Sequence, residues 1–79
     1  MTIVTRLIVF PEGDIQEIPH TLRIDQLVDL NGYPLALPLP TSKVIAYRVQ
    51  RISTNESTGE ETTYYHLELL RRDELTGYT

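Results

Sequence analysis

The sequence predicts a mainly β protein, folded as a small antiparallel β-barrel or roll of five to six short strands. Thr, Val, Ile, Tyr and Phe, which favour pleated surfaces, supply 28 of the 79 residues, whereas Ala occurs only at positions 36 and 46. The apolar segments are also short and are separated by proline, glycine or asparagine. An SH3-like or OB-like roll is the nearest architectural analogy, and the analogy implies no family.

The length predicts one domain. A chain of 79 residues has no room for the two halves of a doubly wound enzyme or for an eight-stranded α/β-barrel. We expect residues 1–72 to form the β-rich domain. Residues 73–79 have little apolar surface to bury, and we expect them to be a frayed tail.

The first predicted strand covers residues 2–10. Apolar side chains occupy both alternations of this segment, which is typical of a strand covered on both faces or wrapped within a small barrel. Pro11 and Gly13 then stand where a tight turn needs them. A short return strand is predicted over residues 15–18, and Pro19 ends it.

Residues 22–30 allow two interpretations. Leu22, Ile24 and Val28 alternate with charged residues as a strand requires, but Leu27 breaks the alternation and Ile24, Leu27 and Val28 also have helical spacing. One short helix near residues 22–30 is therefore the alternative. We favour a strand, because Asn31 and Gly32 form a strong hairpin signal directly after it.

That hairpin would pair residues 22–30 with residues 33–40. A two-residue turn at Asn31 and Gly32 places Val28 opposite Leu35 and puts the prolines at positions 34, 38 and 40 at non-hydrogen-bonded sites of an edge strand. Residues from position 38 onward are free to leave the sheet. Leu35, Leu37, Leu39 and Tyr33 then form a ridge, which we assign to the core rather than to a dimer seam because so small a domain needs its leucines inside.

The clearest predicted hairpin joins residues 44–53 to residues 61–71 through a polar loop at 54–60. Its register sends six apolar side chains inward: Ile45, Tyr47, Val49, Tyr65, Leu67 and Leu69. In all three pairs both partners lie on the same side of the sheet, and a slip of either strand by one residue would destroy this match. Ile52 breaks the pattern, which predicts a bulge near Gln50 and Arg51.

The opposite side of this hairpin is the candidate binding surface. It consists of five side chains: Arg48, Gln50, Tyr64, His66 and Glu68. The register places Arg48 opposite His66 and Gln50 opposite Tyr64. Aromatic, cationic and amide groups in this mixture are enriched in protein interfaces and can also stack on nucleobases. An ordinary solvated strand face is the competing interpretation, and it is the commoner one.

Catalytic chemistry is thinly represented. The chain has no Cys and two His, so a cysteine nucleophile or a cysteine-rich zinc site cannot form. His66 and Glu68 lack a third protein ligand for a metal and a visible nucleophile for acid–base work. The four glycines are too far apart for a phosphate-binding loop. We therefore expect no enzyme activity, no catalytic residue, no cofactor and no metal.

Charge and cysteine content suggest the partners and the compartment. A net charge of −4 opposes binding to a nucleic acid backbone, no segment is long enough to span a membrane, and the absence of Cys suits a reducing cytoplasm. A core this small gains from further apolar burial against another protein or a second copy. We expect a non-catalytic protein-interaction module or a subunit of a larger assembly; the alternative is a small-barrel nucleic-acid-binding protein.

Overall fold

The structure is a computed structural model that describes residues 2–79, and it confirms the mainly β fold class. Its elements in chain order are β1 (Ile3–Val9), β2 (Ile15–Ile18), β3 (Leu27–Val28), β4 (Tyr47–Ser57), β5 (Glu60–Leu69) and α1 (Arg72–Thr76). The bounds of β2 are those predicted, and β1 is shorter than its predicted segment by one residue at each end.

The five strands form one sheet in the order β2-β1-β5-β4-β3, curled into a half-barrel. Neighbouring strands are antiparallel with one exception: β1 and β5 run parallel at the centre of the sheet. The sheet is therefore mixed rather than wholly antiparallel. Two parallel strands must be joined by a connection that crosses from one end of the sheet to the other. Residues 10–59, which include β2, β3 and β4, form that connection between β1 and β5.

The concave side of the sheet, called the inner face below, holds the main core. Ile8 of β1, Val49 of β4 and Leu67 of β5 are almost wholly buried there. The rings of Phe10 and Tyr47 meet edge to face with centroids 5.1 Å apart. Full burial of one such side chain contributes about 1.5–3 kcal/mol, so this face is the main source of stability.

The β4–β5 hairpin forms as predicted, but its register differs. Tyr47 pairs with Leu69, two residues from the predicted partner, and the strands continue to a tight turn at positions 58 and 59 instead of a seven-residue loop. Gly59 has φ +78°, which a glycine adopts at little cost. The predicted bulge is confirmed, because the register shifts between Val49 and Arg51.

Four of the six side chains predicted to point inward from this hairpin are buried: Tyr47, Val49, Tyr65 and Leu67. The prediction is wrong for the other two, since Ile45 is 57% and Leu69 54% exposed. Ile45 precedes β4 and Leu69 ends β5, so both lie where the sheet stops and the inner core no longer covers them.

Residues 22–40 form neither the alternative helix nor the long hairpin. They contain β3, and Val28 makes a single bridge with Pro34, one residue from the predicted partner. Asp29 N–H donates to the Tyr33 carbonyl at 2.9 Å, and Leu35 N–H donates to the Leu27 carbonyl at 3.0 Å. These bonds flank the bridge, so Pro34 does occupy a non-hydrogen-bonded site, where its missing N–H costs nothing.

The predicted leucine ridge is divided by the structure. Leu39 is buried and Leu35 is half-buried, whereas Leu37 and Tyr33 are more than half exposed. The ridge required an extended strand, and this segment leaves the sheet after Pro34. Only part of it therefore belongs to the core.

The C-terminal segment is ordered as a helix, which corrects the expectation of a frayed tail. Helix α1 begins after Arg71, whose N–H donates to the Glu74 carboxylate at 3.2 Å, and its single apolar residue, Leu75, is 2% exposed. Leu39 N–H donates to the Tyr78 carbonyl at 2.7 Å. One buried side chain and one backbone bond thus fix the C-terminal segment against the rest of the domain.

Candidate functional site

The convex side of the sheet, called the outer face below, carries most of the candidate residues. Strand pairing arranges its side chains in rows across the sheet. One row runs from Val9 through His66 to Arg51, and the next runs from Leu7 through Tyr64 to Ser53. Arg51 and Ser53 are not among the five residues of the predicted binding surface, although Arg51 is a basic residue on which the alternative of a nucleic-acid-binding protein rests. They join Tyr64 and His66 because the bulge reverses the parity of β4 beyond Gln50.

One part of the outer face, called the covered half below, lies at the β3 side of the sheet. Leu27, Ala46 and Leu70 are buried there in a second core. Leu39 and Leu75 complete this core from outside the sheet. The covered half is therefore closed by residues that follow β3 and by helix α1.

Arg48 and Glu68, two of the predicted surface residues, belong to the covered half. They lie opposite each other and form a hydrogen-bonded ion pair, so the predicted pairing of Arg48 with His66 is wrong. The Arg48 guanidinium also lies 3.3 Å from the Tyr78 hydroxyl and 3.7 Å from a Glu74 carboxylate oxygen.

The hydrogen bond to Tyr78 and then the one to Glu68 raise the pKa of Arg48 above its ordinary value, so the guanidinium stays charged. The side chains of Arg48 and Glu68 are about one-quarter to one-third exposed. Their geometry links helix α1 to the sheet. Both charges therefore have partners within the fold.

The rest of the outer face, called the open half below, contains Leu7, Val9, Tyr64, His66 and Arg51. Leu7 and Val9 lie on β1, an interior strand between β2 and β5, yet are only half-buried, as are Tyr64 and His66. The buried core of the outer face lies at the β3 side and includes none of these five residues. Strand β1 has apolar side chains on both faces of the sheet, and those on the outer face, Leu7 and Val9, are not fully buried.

His66 is held by its neighbours in the open half. Its Nε2 lies 2.9 Å from Ser53 Oγ and 3.5 Å from an Arg51 guanidinium nitrogen. Burial and then the positive charge of Arg51 lower the pKa of His66 below its ordinary value. A guanidinium only donates hydrogen bonds, so a bond from Arg51 requires an unprotonated Nε2, and the lowered pKa likewise favours the neutral imidazole. The Tyr64 and His66 rings lie with centroids 6.4 Å apart.

The hydroxyl of Ser53 and the imidazole of His66 are in contact, as a nucleophile and a general base would be, and the predicted register did not place them together. A working pair also needs a group that orients the imidazole through its other nitrogen. Among the hydrogen bonds of residues 2–79, those of His66 all involve Nε2. The geometry supports a hydrogen-bonded surface histidine.

Gln50, the remaining predicted surface residue, lies in the bulge. It is exposed and has no partner on β5, so the predicted pairing with Tyr64 is wrong; Tyr64 lies opposite Ser53. The five predicted residues are therefore divided among the covered half, the bulge and the open half. Of the five, the structure brings only Tyr64 and His66 together in the open half.

Within residues 2–79 no three His, Asp or Glu side chains lie close enough to hold a metal ion, and no helix is long and apolar enough to cross a membrane. No curated protein and no solved structure is significantly similar to the chain. One family model matches residues 2–78, nearly the whole chain. The chain therefore belongs to the family described as "Uncharacterised Treponema protein".

Proposed function

We propose that the chain is a small non-catalytic protein-interaction module, a subunit of a larger assembly, that docks a protein partner on the open half of its outer face. One observation carries the proposal. Leu7 and Val9 stand on β1, an interior strand of the sheet, but are only half-buried, whereas apolar residues at the other end of the same face are buried. A partner would complete the cover that the chain itself provides at one end.

The composition of the open half fits a protein interface. Its centre is apolar and aromatic, with Leu7, Val9 and Tyr64, and its edge is polar, with Arg51 and Ser53. Tyr and Arg are enriched at such interfaces, where each combines a large contact area with a polar end group. A neutral His66 can enter an interface without the large penalty of burying a charge.

The charges of the outer face favour a protein over a nucleic acid. Arg51 is the cation of the open half, and it lies in the row of Val9 and His66. Glu17 pairs with Leu7 and adds a negative charge to the neighbouring row of Leu7 and Tyr64. A phosphate backbone binds several cations at once, and a net charge of −4 opposes its approach. We place the protein in the cytoplasm, because a chain without Cys gains nothing from an oxidising compartment.

Leu7→Glu tests the proposal by placing a charge at the centre of the open half. Leu7 is half-buried on the outer face, so the variant should fold, and circular dichroism checks this. Sedimentation of the pure protein shows whether a second copy occupies the face, and affinity capture from the cells that express it identifies a different partner. We expect Leu7→Glu to remove at least about 90% of the association, as a charge buried in an interface does.

Thr58→Glu is the matched control, because it adds the same charge at the exposed tip of the β4–β5 hairpin. It should retain wild-type association. The proposal fails if the two variants behave alike, or if the wild-type protein neither self-associates nor recovers a partner.

A further inference from the structure

An apolar groove of about 520 Å³ lies between residues 42–45, the end of β5 and helix α1. Its walls include Ile45 and Leu69, the two side chains that were predicted to be buried and are more than half exposed. Val44, Leu70 and Leu75 line its base. A volume in this range holds two or three large side chains or a small ligand.

The charges at this groove differ from those of the whole chain. Lys43 and Arg72 line it, and no Asp or Glu does so within residues 2–79. The chain has 11 acidic and seven basic residues, so two cations without an acid form a local exception. Both side chains are exposed, and the ion pairs found among residues 2–79 involve Arg48 and Arg71 instead.

We infer that this groove binds an acidic apolar peptide segment of a partner protein, with two or three large side chains in the groove and flanking carboxylates at Lys43 and Arg72. Apolar walls with cations and no acid at the rim are complementary to that chemistry. The groove shares no residue with the open half, so the inference stands independently of the docking surface proposed above.

A peptide suits the groove better than a fatty acid does. The groove is open to solvent rather than enclosed, and an acyl chain gains most where it is surrounded on all sides. One wall, residues 42–45, lies outside any strand or helix. Its backbone groups are therefore not used in sheet pairing, and apart from the Lys43 N–H, which donates to Thr41 Oγ1, they can bond to a peptide backbone.

Three synthetic peptides test the inference. They share a Leu-Phe-Leu core and carry two Glu, two Gln or two Lys residues on each side. Binding is followed at low salt by amide chemical shifts of the full chain. We expect the Glu peptide to shift residues 43–45 and 69–75 and to bind at least about ten-fold more tightly than the Lys peptide, with the Gln peptide between them.

Lys43→Glu combined with Arg72→Glu should reverse this order, so that the Lys peptide binds best. Arg23→Glu combined with Thr54→Glu and Thr58→Glu changes the net charge equally at exposed sites away from the groove and should keep the wild-type order. Ile45→Ser and Leu69→Ser should weaken all three peptides, because both side chains are exposed and their loss leaves the fold intact.

Three results would overturn the inference. Equal affinity for the three peptides would remove the role of charge, and shifts outside the groove would remove the site. Decanoate binding in the groove without binding of any peptide would assign it to a lipid carboxylate instead. None of these results bears on Leu7→Glu, so failure here is distinguishable from failure of the proposed docking surface.

Discussion

The covered half and the open half lie on the same face of one sheet and share strands β4 and β5, yet they differ in burial. Leu70 and Leu75 are almost wholly buried in the covered half, while Leu7 and Val9 are half-buried in the open half. The difference follows from which residues lie over the sheet. Residues 35–39 and helix α1 supply side chains to the buried core at one end, and that core does not reach the residues of the other end.

Polar groups follow the same division. In the covered half Arg48 is held by Glu68, Tyr78 and Glu74, so its charge is used within the fold. In the open half Arg51 faces His66 and solvent. The open half is apolar at its centre and polar at its edge, and Arg51 takes part in none of the ion pairs found among residues 2–79. This composition is typical of protein-binding surfaces.

The largest expected effect is the loss of stability in Leu75→Ala, which truncates a buried side chain of the second core. Removing this side chain leaves a cavity in the second core and should lower the free energy of unfolding by about 3 kcal/mol. Urea denaturation measures the change. Leu69→Ala is the matched control, because Leu69 is 54% exposed and its loss should cost less than about 1 kcal/mol. Equal losses would show that helix α1 does not cover the sheet.

Gly32→Ala tests the packing of the inner face. Gly32 has φ +80°, and a Cβ there would lie 2.8 Å from Ile8 Cδ1 and 3.0 Å from Ile18 Cγ2. The strained backbone and the crowding together should cost about 2 kcal/mol or more. Gly13→Ala controls for the backbone, since Gly13 has φ +100° and open space around its Cβ position. Denaturation should show the larger loss for Gly32→Ala; the reverse order would contradict this packing.

Arg48→Met should have a smaller effect, at most about 1 kcal/mol, because the ion pairs of Arg48 are partly exposed and screened by solvent. The methionine keeps most of the apolar stem. Arg71→Met is the control, as the Arg71 side chain is 78% exposed and its loss should be close to neutral. Amide exchange in helix α1 should accelerate in Arg48→Met alone. Unchanged exchange would show that Arg48 does not tie the helix to the sheet.

The smallest effect concerns pH in the open half. The pKa of folded His66 lies below its ordinary 6.5, so between that lowered pKa and 6.5 the unfolded chain binds more protons. Stability should therefore fall as pH drops through this window, and His66→Gln should remove that slope. In Arg51→Gln the midpoint of an NMR titration should rise but stay below 6.5, since burial is the larger cause. A midpoint at or above 6.5 in the wild-type protein would contradict the described packing.

Local patterns predicted much of this fold. The bounds of β2, the bulge at Gln50 and Arg51, and the antiparallel β4–β5 hairpin follow from alternation and from turn residues. The register did not follow, because alternation excludes only odd slips. A shift of two residues keeps every side chain on its side and is invisible to parity.

Other features depend on contacts that no local pattern encodes. The parallel pairing of β1 with β5 joins segments some 57 residues apart in sequence, which alternation within each segment cannot reveal. Helix α1 has one buried apolar residue, too few for a helical period. The contact of Ser53 with His66 could be predicted only by applying the one-residue shift of the bulge to the strand pairs beyond it. The sequence signal for that shift is Ile52, which breaks the alternation.

The claim that a protein covers the open half is tested most directly by a photoreactive benzophenone amino acid placed at position 64 in living cells. The same group at position 58, on the tip of the β4–β5 hairpin, is the control. We expect one discrete crosslinked species from position 64 and none from position 58. No crosslink from position 64, or equal yields from both positions, would contradict the account.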